Sequence, residues 1–479
     1  MTYSNNLQKQ KTKIILGIDL GTSGLRACIV QKTFTDHKLL HEEIIVEHAV
    51  SIPSAVKNSD TNTITQSPAL WIDGLNLLLS NLKQQTELSA VTHLILDATS
   101  STVLLLNPKK NTCTDALMYN DTHAVQQAIR IDQALELARQ SNSIHLKQNQ
   151  NGAHGASSTL AKVMSLLEAI PKNKNMVICH QIDYLNYYLC GALNITDENN
   201  ALKLGYDLIN QAWPDWVADL LGEINPNIQL PKVVKPGQFL KKINPNIAES
   251  FGFHPKLKVM AGTTDSIAGF LASGAKQPGD AVTSLGSTIA IKAISNRPIF
   301  DSNTGLYSHR LGNHWLVGGA SNSGGQVLRH FYSIEQLKLL NHKITNEDIQ
   351  AFLNMKPEAF YPLITPGERF PILDTQYPPK LPSLPKCTAI EINQSIPCLQ
   401  AHKLFLLQLL NGMAHIEALC YQALSKMSET DEIMVKNVYA VGSGTLSHVW
   451  MKLREHQLPA TLCNSIHNQA AYGVTQIID

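Results

Sequence analysis

Two aspartates in this chain sit where phosphate or hydroxyl chemistry could be done. Asp19 closes an apolar run and is followed by Gly21-Thr22-Ser23-Gly24, after which a second apolar run, Ala27 to Val30, begins. The pattern predicts a β-hairpin with polar groups at its tip. Its free N–H groups and two hydroxyls form a small anion cradle. A carboxylate beside that cradle would repel bare phosphate, so Asp19 fits best as the holder of a cation, Mg²⁺ through water. Asp265 follows Leu257 to Gly262 and Thr263-Thr264, and a helical pattern starts at Ser266. It therefore falls at a strand-to-helix junction, where the positive end of the helix dipole favours its ionised form. A plain hairpin turn and a plain helix N-cap are the structural alternatives for the two sites.

Two further turns share this chemistry. Leu285-Gly286-Ser287-Thr288 lies between apolar runs, as the first turn does, and Val441-Gly442-Ser443-Gly444-Thr445 runs from a strand pattern towards a helix containing Ser447 and Trp450. One such turn in each half of the chain suggests two domains built on one plan, a weak internal repeat without a short period. Val91 to Asp97 reads as a buried strand ending in Ala98-Thr99-Ser100-Ser101-Thr102, and polar residues at the carboxyl end of such a strand commonly meet ligands. A hydroxyl-rich turn gives the same pattern. Helical spacing covers Ala69 to Leu82, Thr159 to Ile170 and Leu404 to Leu424, and Asn149 to Ser158 reads as a loop. Prolines gather between Ile224 and Pro255, a candidate boundary, and again between Pro362 and Pro397, read as a surface excursion.

A chain of 479 residues needs more than one core. Its formal net charge of +1 argues against a nucleic acid or a membrane surface as main partner. Eight cysteines are scattered without a Cys-x-x-Cys pair, so the spacing signals neither a zinc site nor a redox pair, and reduced thiols are expected. No apolar run of about 18 residues is evident, and Met1 to Lys13 reads as a polar, frayed tail rather than a signal peptide. A cytoplasmic protein is the expectation.

The four motifs, in this order, resemble those of the FGGY carbohydrate kinases of the actin/hexokinase/Hsp70-like superfamily. The likeness runs from about Lys13 to the C-terminus. Ala261 to Ala275, Tyr307 to Gly312 and Val317 to Gly325 look most like the xylulose-kinase-like branch, which includes D-ribulose kinases. The resemblance implies an α/β, two-domain, ribonuclease H-like fold with the active site in the interdomain cleft. It implies an N-terminal domain over 13–250 and a C-terminal domain over 251–479. The implied activity is transfer of the ATP γ-phosphoryl to a sugar hydroxyl, with ATP and Mg²⁺ as cofactors and a ketopentose or polyol as the small-molecule partner, in a monomer or homodimer. The family's catalytic base falls on Asp265, and its first phosphate-motif Asp and hydroxyl on Asp19 and Thr22. Sugar contacts are implied for Asp19, Ser23, Gly24, Ser100, Asp121 and Asp265. Nucleotide contacts are implied for Thr22, Gly286, Ser287, Thr288, Gly442, Ser443, Gly444, Thr445, Ser447 and Trp450. Two departures stand out: Ser447 occupies a position where Asn is frequent, and Asn120-Asp121-Thr122-His123 lacks the Trp and Arg that relatives carry around the acid. An ATPase that couples nucleotide state to a protein partner would share the phosphate turns, but gives no reason for a sugar-facing Ser100.

Overall fold

The apolar runs flanking Gly21 to Gly24 pair as antiparallel strands, Lys11–Leu20 with Gly24–Thr35, and the turn closes with Gly21 N–H donating to the Gly24 carbonyl at 3.0 Å. Lys11 to Lys13, expected in a frayed tail, form the start of that strand. In the computed structural model, residues 10–36, 38–140, 152–172, 174–301, 304–389, 395–426 and 434–478 are described. Residues 1–9 of the expected tail and 149–151 of the expected loop lie outside them.

The hairpin starts a six-stranded sheet with the spatial order Phe239–Lys242, Lys258–Thr264, His93–Ala98, Lys11–Leu20, Gly24–Thr35, Lys38–Ser51. The middle three strands are parallel and the others antiparallel. Ile15, Leu16, Ile18, Leu94, Ile95, Leu96 and Val259 are fully buried, as central parallel strands covered on both faces require. A second sheet is ordered Tyr307–Leu311, His314–Ala320, Ile289–Ser295, Asp280–Leu285, Asn437–Val441, Thr461–Cys463. It repeats the plan of the first. An antiparallel hairpin is extended by a further antiparallel strand on one side and by two parallel strands on the other. The weak repeat in the sequence is thus a duplicated sheet, and both hydroxyl turns fall at the same hairpin position.

The chain separates into two units: residues up to Ala272 together with those from Gln469 onward, and Ser273–Asn468. This differs from the expected division at 250. Lys258–Thr264 hydrogen-bonds alongside His93–Ala98, so this strand and the following helix, Asp265–Ala272, stay with the first sheet. Asp265 belongs to the same unit as Asp19. The last helix, Ala470–Thr475, returns to the first unit, where Val474 packs with Ile15, Ile95 and Ala268. Buried Lys32 donates to the carbonyls of Thr475 and Ile478 and so anchors that return.

Three further expectations change. Cys387 and Cys398 form a disulfide, and the other six cysteines are free. The helix Ile396–Lys426 is long and apolar enough to cross a membrane, contrary to the reading of the sequence. Of its most apolar window 78% is buried, and it carries buried Asn411 and Glu417. The proline-rich segment is no mere excursion. Tyr361, Leu363 and Phe370 enter the core of the second unit. Buried Glu368 accepts from the Ser321 hydroxyl, the Asn322 N–H and the Tyr361 hydroxyl, tying the segment to the glycine-rich strand end.

Lys162 is fully buried in the first unit and its ammonium donates to the carbonyls of Ser101 (2.6 Å), Met118 (2.8 Å) and Tyr119 (3.4 Å). It clamps two loops that carry candidate site residues. Lys162→Met would leave these carbonyls unpaired at roughly 1–3 kcal/mol each. A fall in Tm of at least about 4 °C in calorimetry is expected, and an unchanged Tm would show that the clamp carries no stability.

Candidate active site

Three parallel strands end side by side in the first unit, and their ends bring the acidic candidate residues together. The register sets Asp19 opposite Asp97, and Asp97 opposite Thr263. The pairing of the last two strands slips between Met260 and Thr263. Gly262 lies in this slip, where a Cβ would stand 1.6 Å from the Leu96 carbonyl oxygen, so only glycine allows the approach. Asp265 follows at once and opens its helix, its carboxylate accepting from the Ser266 N–H at 2.6 Å. Across the hairpin from Asp19 stands Arg26, whose guanidinium donates to the Asp19 carboxylate at 3.1 Å. Asp19 is buried while the Arg26 side chain is half exposed.

Asp97 was passed over in the sequence, where it reads only as the end of a strand. It is fully buried, and burial is the main cause that raises its pKa well above the carboxylate range. The charges of Asp19 and Asp265 push it further, against the opposing pull of Arg26. The fields of both Asp19 and Asp265 therefore meet at one side chain. Neither Asp97 oxygen finds a donor among the described residues, and the buried Ser100 and Thr264 hydroxyls also lack partners there. This all-oxygen set at the strand ends suits a hard cation and sugar hydroxyls. Lys203 adds a cation within reach of Asp265: burial pulls its ammonium pKa down, and Asp265 resists that pull.

The other expected sugar contacts divide. Thr22 is half-buried and Ser23 exposed at the hairpin tip, with Gly24 beside them. Gln66 fixes this tip by donating to the carbonyls of Thr22 and Pro53 while accepting from the Trp71 indole. Ser100 lies in the turn after the Asp97 strand. Asp121 does not join them. It is fully buried, and its carboxylate accepts from the N–H groups of Ile64 (2.6 Å) and His123 (3.2 Å) and pairs with the His123 ring at 2.5 Å. Both its oxygens are thus engaged within the protein, one by the Ile64 strand and one by His123 in its own loop.

The second unit contains a cavity of about 340 Å³ lined by Gly286, Ser287, Ser443, Gly444, Ser447 and Trp450 among others. Thr288, Gly442 and Thr445, expected with them, are outside its lining. The Gly286 turn rests on the helix Gly325–Phe331, whose first N–H groups donate to the carbonyls of Gly286 and Ser287, both at 2.9 Å. A Cβ on Gly444 would stand 2.7 Å from the Trp450 ring and 2.6 Å from Leu285, so glycine keeps the loop against the cavity wall. The Ser447 hydroxyl is already committed: it accepts from the Trp450 N–H, capping that helix, and donates to Asn341 at 2.8 Å. Asn341, Lys338 and Arg329 also line the cavity, and Arg329 donates to the Ser287 hydroxyl at 2.6 Å. None of these three was singled out from the sequence: Arg329 lies one turn into the helix that follows the glycine-rich Val317 to Gly325 stretch, and Lys338 and Asn341 lie on the next helix, Ile334–Lys343. Leu446 and Ile334, respectively 84% and 57% exposed, offer apolar surface at the same cavity. Its walls are braced by the buried Glu417–Arg454 pair, bidentate at 2.7 and 2.8 Å, to which Thr283 adds a hydrogen bond.

A carboxyl group raised in the folded state favours folding below its unfolded pKa, and that advantage is lost as pH rises towards its folded value. Asp97 thus costs stability from about pH 4 upward. Asp97→Asn is expected to raise the Tm of the chain in chelator at pH 7–8, with a gap to wild type that narrows towards pH 4. A variant less stable than wild type at pH 8 would show that the Asp97 carboxyl group stabilises the fold and is not raised by its surroundings.

Residues 14–272 match the model of the FGGY family of carbohydrate kinases, N-terminal domain, which covers more than half of the chain and contains the Asp19, Asp97 and Asp265 strand ends. The chain is 22% identical to a xylulose kinase of Staphylococcus xylosus across 97% of this chain and 90% of that protein. It is 23% identical to a gluconokinase of Bacillus licheniformis across 77% of this chain and 70% of that protein. Among solved structures, gluconate kinase from Lactobacillus acidophilus aligns with a TM-score of 0.72 at 17% identity, over 98% of this chain and 89% of its own. That likeness fixes the two-domain actin/hexokinase-like fold. The chain belongs to the FGGY family of carbohydrate kinases, and is a sugar kinase.

Proposed function

We propose that this kinase transfers the γ-phosphoryl group of Mg-ATP to a hydroxyl of a ketopentose, D-ribulose first, and that it does so in the cytoplasm. The observation that carries the reading is the meeting of Asp19, Asp97 and Asp265 at neighbouring strand ends, with unpartnered hydroxyls of Ser100 and Thr264 beside them. In this reading the sugar binds at those ends, and the nucleotide rests on the turns and cavity of the second unit. Xylulose is the second candidate, supported by the relatives named xylulose kinases.

Phosphoryl transfer asks for positioning and charge neutralisation rather than covalent help from the protein. Asp265 accepts the proton of the attacking hydroxyl, and the Ser266 N–H at the start of its helix donates to its carboxylate. Asp19, aligned by Arg26, and Asp97 beside it would hold Mg²⁺, which neutralises charge on the phosphates. Ser100, Ser23 and the Gly24 backbone orient the sugar. Ser287, with Arg329 donating to it, and Gly286 receive the phosphate chain, while Trp450, Gly444 and Leu446 bound the place for the base.

ADP release measured over ketopentoses, pentitols, gluconate and glycerol is expected to be fastest with D-ribulose and negligible without an acceptor. A clear maximum with gluconate or glycerol would overturn the ketopentose assignment. Asp265→Asn is expected to lower kcat by at least about 10²-fold while ATP still binds. Turnover within a few-fold of wild type would remove Asp265 from the base role.

A further inference from the structure

Cys387 and Cys398 converge on His402 in the second unit. The two sulfurs and a ring nitrogen of His402 all lie within 4.8 Å of one another. Cys398 and His402 are one helical turn apart on Ile396–Lys426 and so present side chains on one face. Cys387 approaches from the proline-rich segment, with its Cα 5.9 Å from that of Cys398. Cys398 and His402 are buried and Cys387 is half-buried. We propose that in the reduced chain Cys387, Cys398 and His402 bind a thiophilic divalent cation, zinc, and that the disulfide is the oxidised state of the same site.

The ligand chemistry points to zinc. Two thiolates and one imidazole match its preference for sulfur and nitrogen donors, and three protein ligands leave a fourth position for water. The imidazole has the outer partner that metal-bound histidines use. In the disulfide state the His402 ring is held on both sides: Nε2–H donates to the Cys387 carbonyl at 3.2 Å, and Nδ1 accepts from the Tyr332 hydroxyl at 3.0 Å. Metal binding through Nε2 moves that ring proton to Nδ1, where the Tyr332 oxygen becomes its acceptor. Entry to this state balances simply. A thiol reductant such as glutathione gives two electrons and two protons to the disulfide and leaves as its own disulfide. Zn²⁺ then displaces the two thiol protons. Either state ties the proline-rich segment to the helix that carries Leu406 and Leu410, four and eight residues beyond His402, into the lining of the 340 Å³ cavity. The proposal concerns residues outside the phosphoryl-transfer site and stands independently of the assigned substrate.

The test uses the full chain reduced with a phosphine, with Cys387 and Cys398 verified as free thiols by mass tagging, and titrated with Co²⁺. One equivalent of cobalt with thiolate-to-metal charge-transfer absorption is expected, displaced by one equivalent of Zn²⁺. The oxidised chain and Cys387→Ser should each lose that absorption. Reduced wild type without the absorption, or an oxidised chain that keeps it, overturns the proposal. Because the decisive comparison is between two states of the wild-type chain, it survives a variant that fails to fold.

Discussion

Burying two carboxylates against each other is unfavourable, and the first unit is arranged around that cost. The parallel pairing of Lys11–Leu20 with His93–Ala98 leaves Asp19 and Asp97 in register, with Asp97 wholly out of water. The conflict is eased by the Arg26 guanidinium, which donates to Asp19, and it shows in the upward push on the Asp97 carboxyl. Such an arrangement lowers the stability of the apo chain and is stable only because the strands around it are packed on both faces. A divalent cation and a sugar alcohol are the ligands that would turn the same groups from a liability into a binding site.

The two units solve related problems on one plan of sheet. In each, a hairpin turn rich in glycine and hydroxyls stands beside the end of a parallel strand. The first unit adds acidic side chains at the strand ends. The second adds apolar and amide surface, with Trp450, Leu446 and Asn341 around one cavity. Carboxylates on one sheet and a base-sized cavity on its repeat fit a kinase that handles an alcohol and a nucleotide with separate halves of the chain. The duplicated sheet explains why the two hydroxyl turns look alike in sequence while the residues around them differ.

Local features were legible from the residues alone. The hairpin around Gly21 to Gly24, the Asp265 strand-to-helix junction and the Ser443–Leu446 loop each depend on a few consecutive side chains. What escaped depends on contacts distant in sequence. Asp97 in Leu-Ile-Leu-Asp looks like any strand end, because its burial comes from strands contributed by both flanks. The first unit extends past the prolines to Ala272, because Lys258–Thr264 finds its partner in His93–Ala98. Ser447 looks like a replacement for an adenine-facing Asn, yet it caps a helix and holds Asn341 from another one. Asp121 reads as a sugar-facing acid by resemblance alone, yet its carboxylate accepts from the Ile64 and His123 backbone, the former 57 residues away in sequence. A cysteine spacing of eleven carries no signal, since the fold rather than the spacing brings Cys387 to Cys398.

The most direct measurement is a crystal structure of the chain with D-ribulose and a non-hydrolysable ATP analogue in Mg²⁺. The account expects the sugar hydroxyls at the strand ends, one of them within hydrogen-bond reach of Asp265 and another near Ser100, and the metal on the Asp19 side. A sugar bound away from the Asp19, Asp97 and Asp265 strand ends would contradict it.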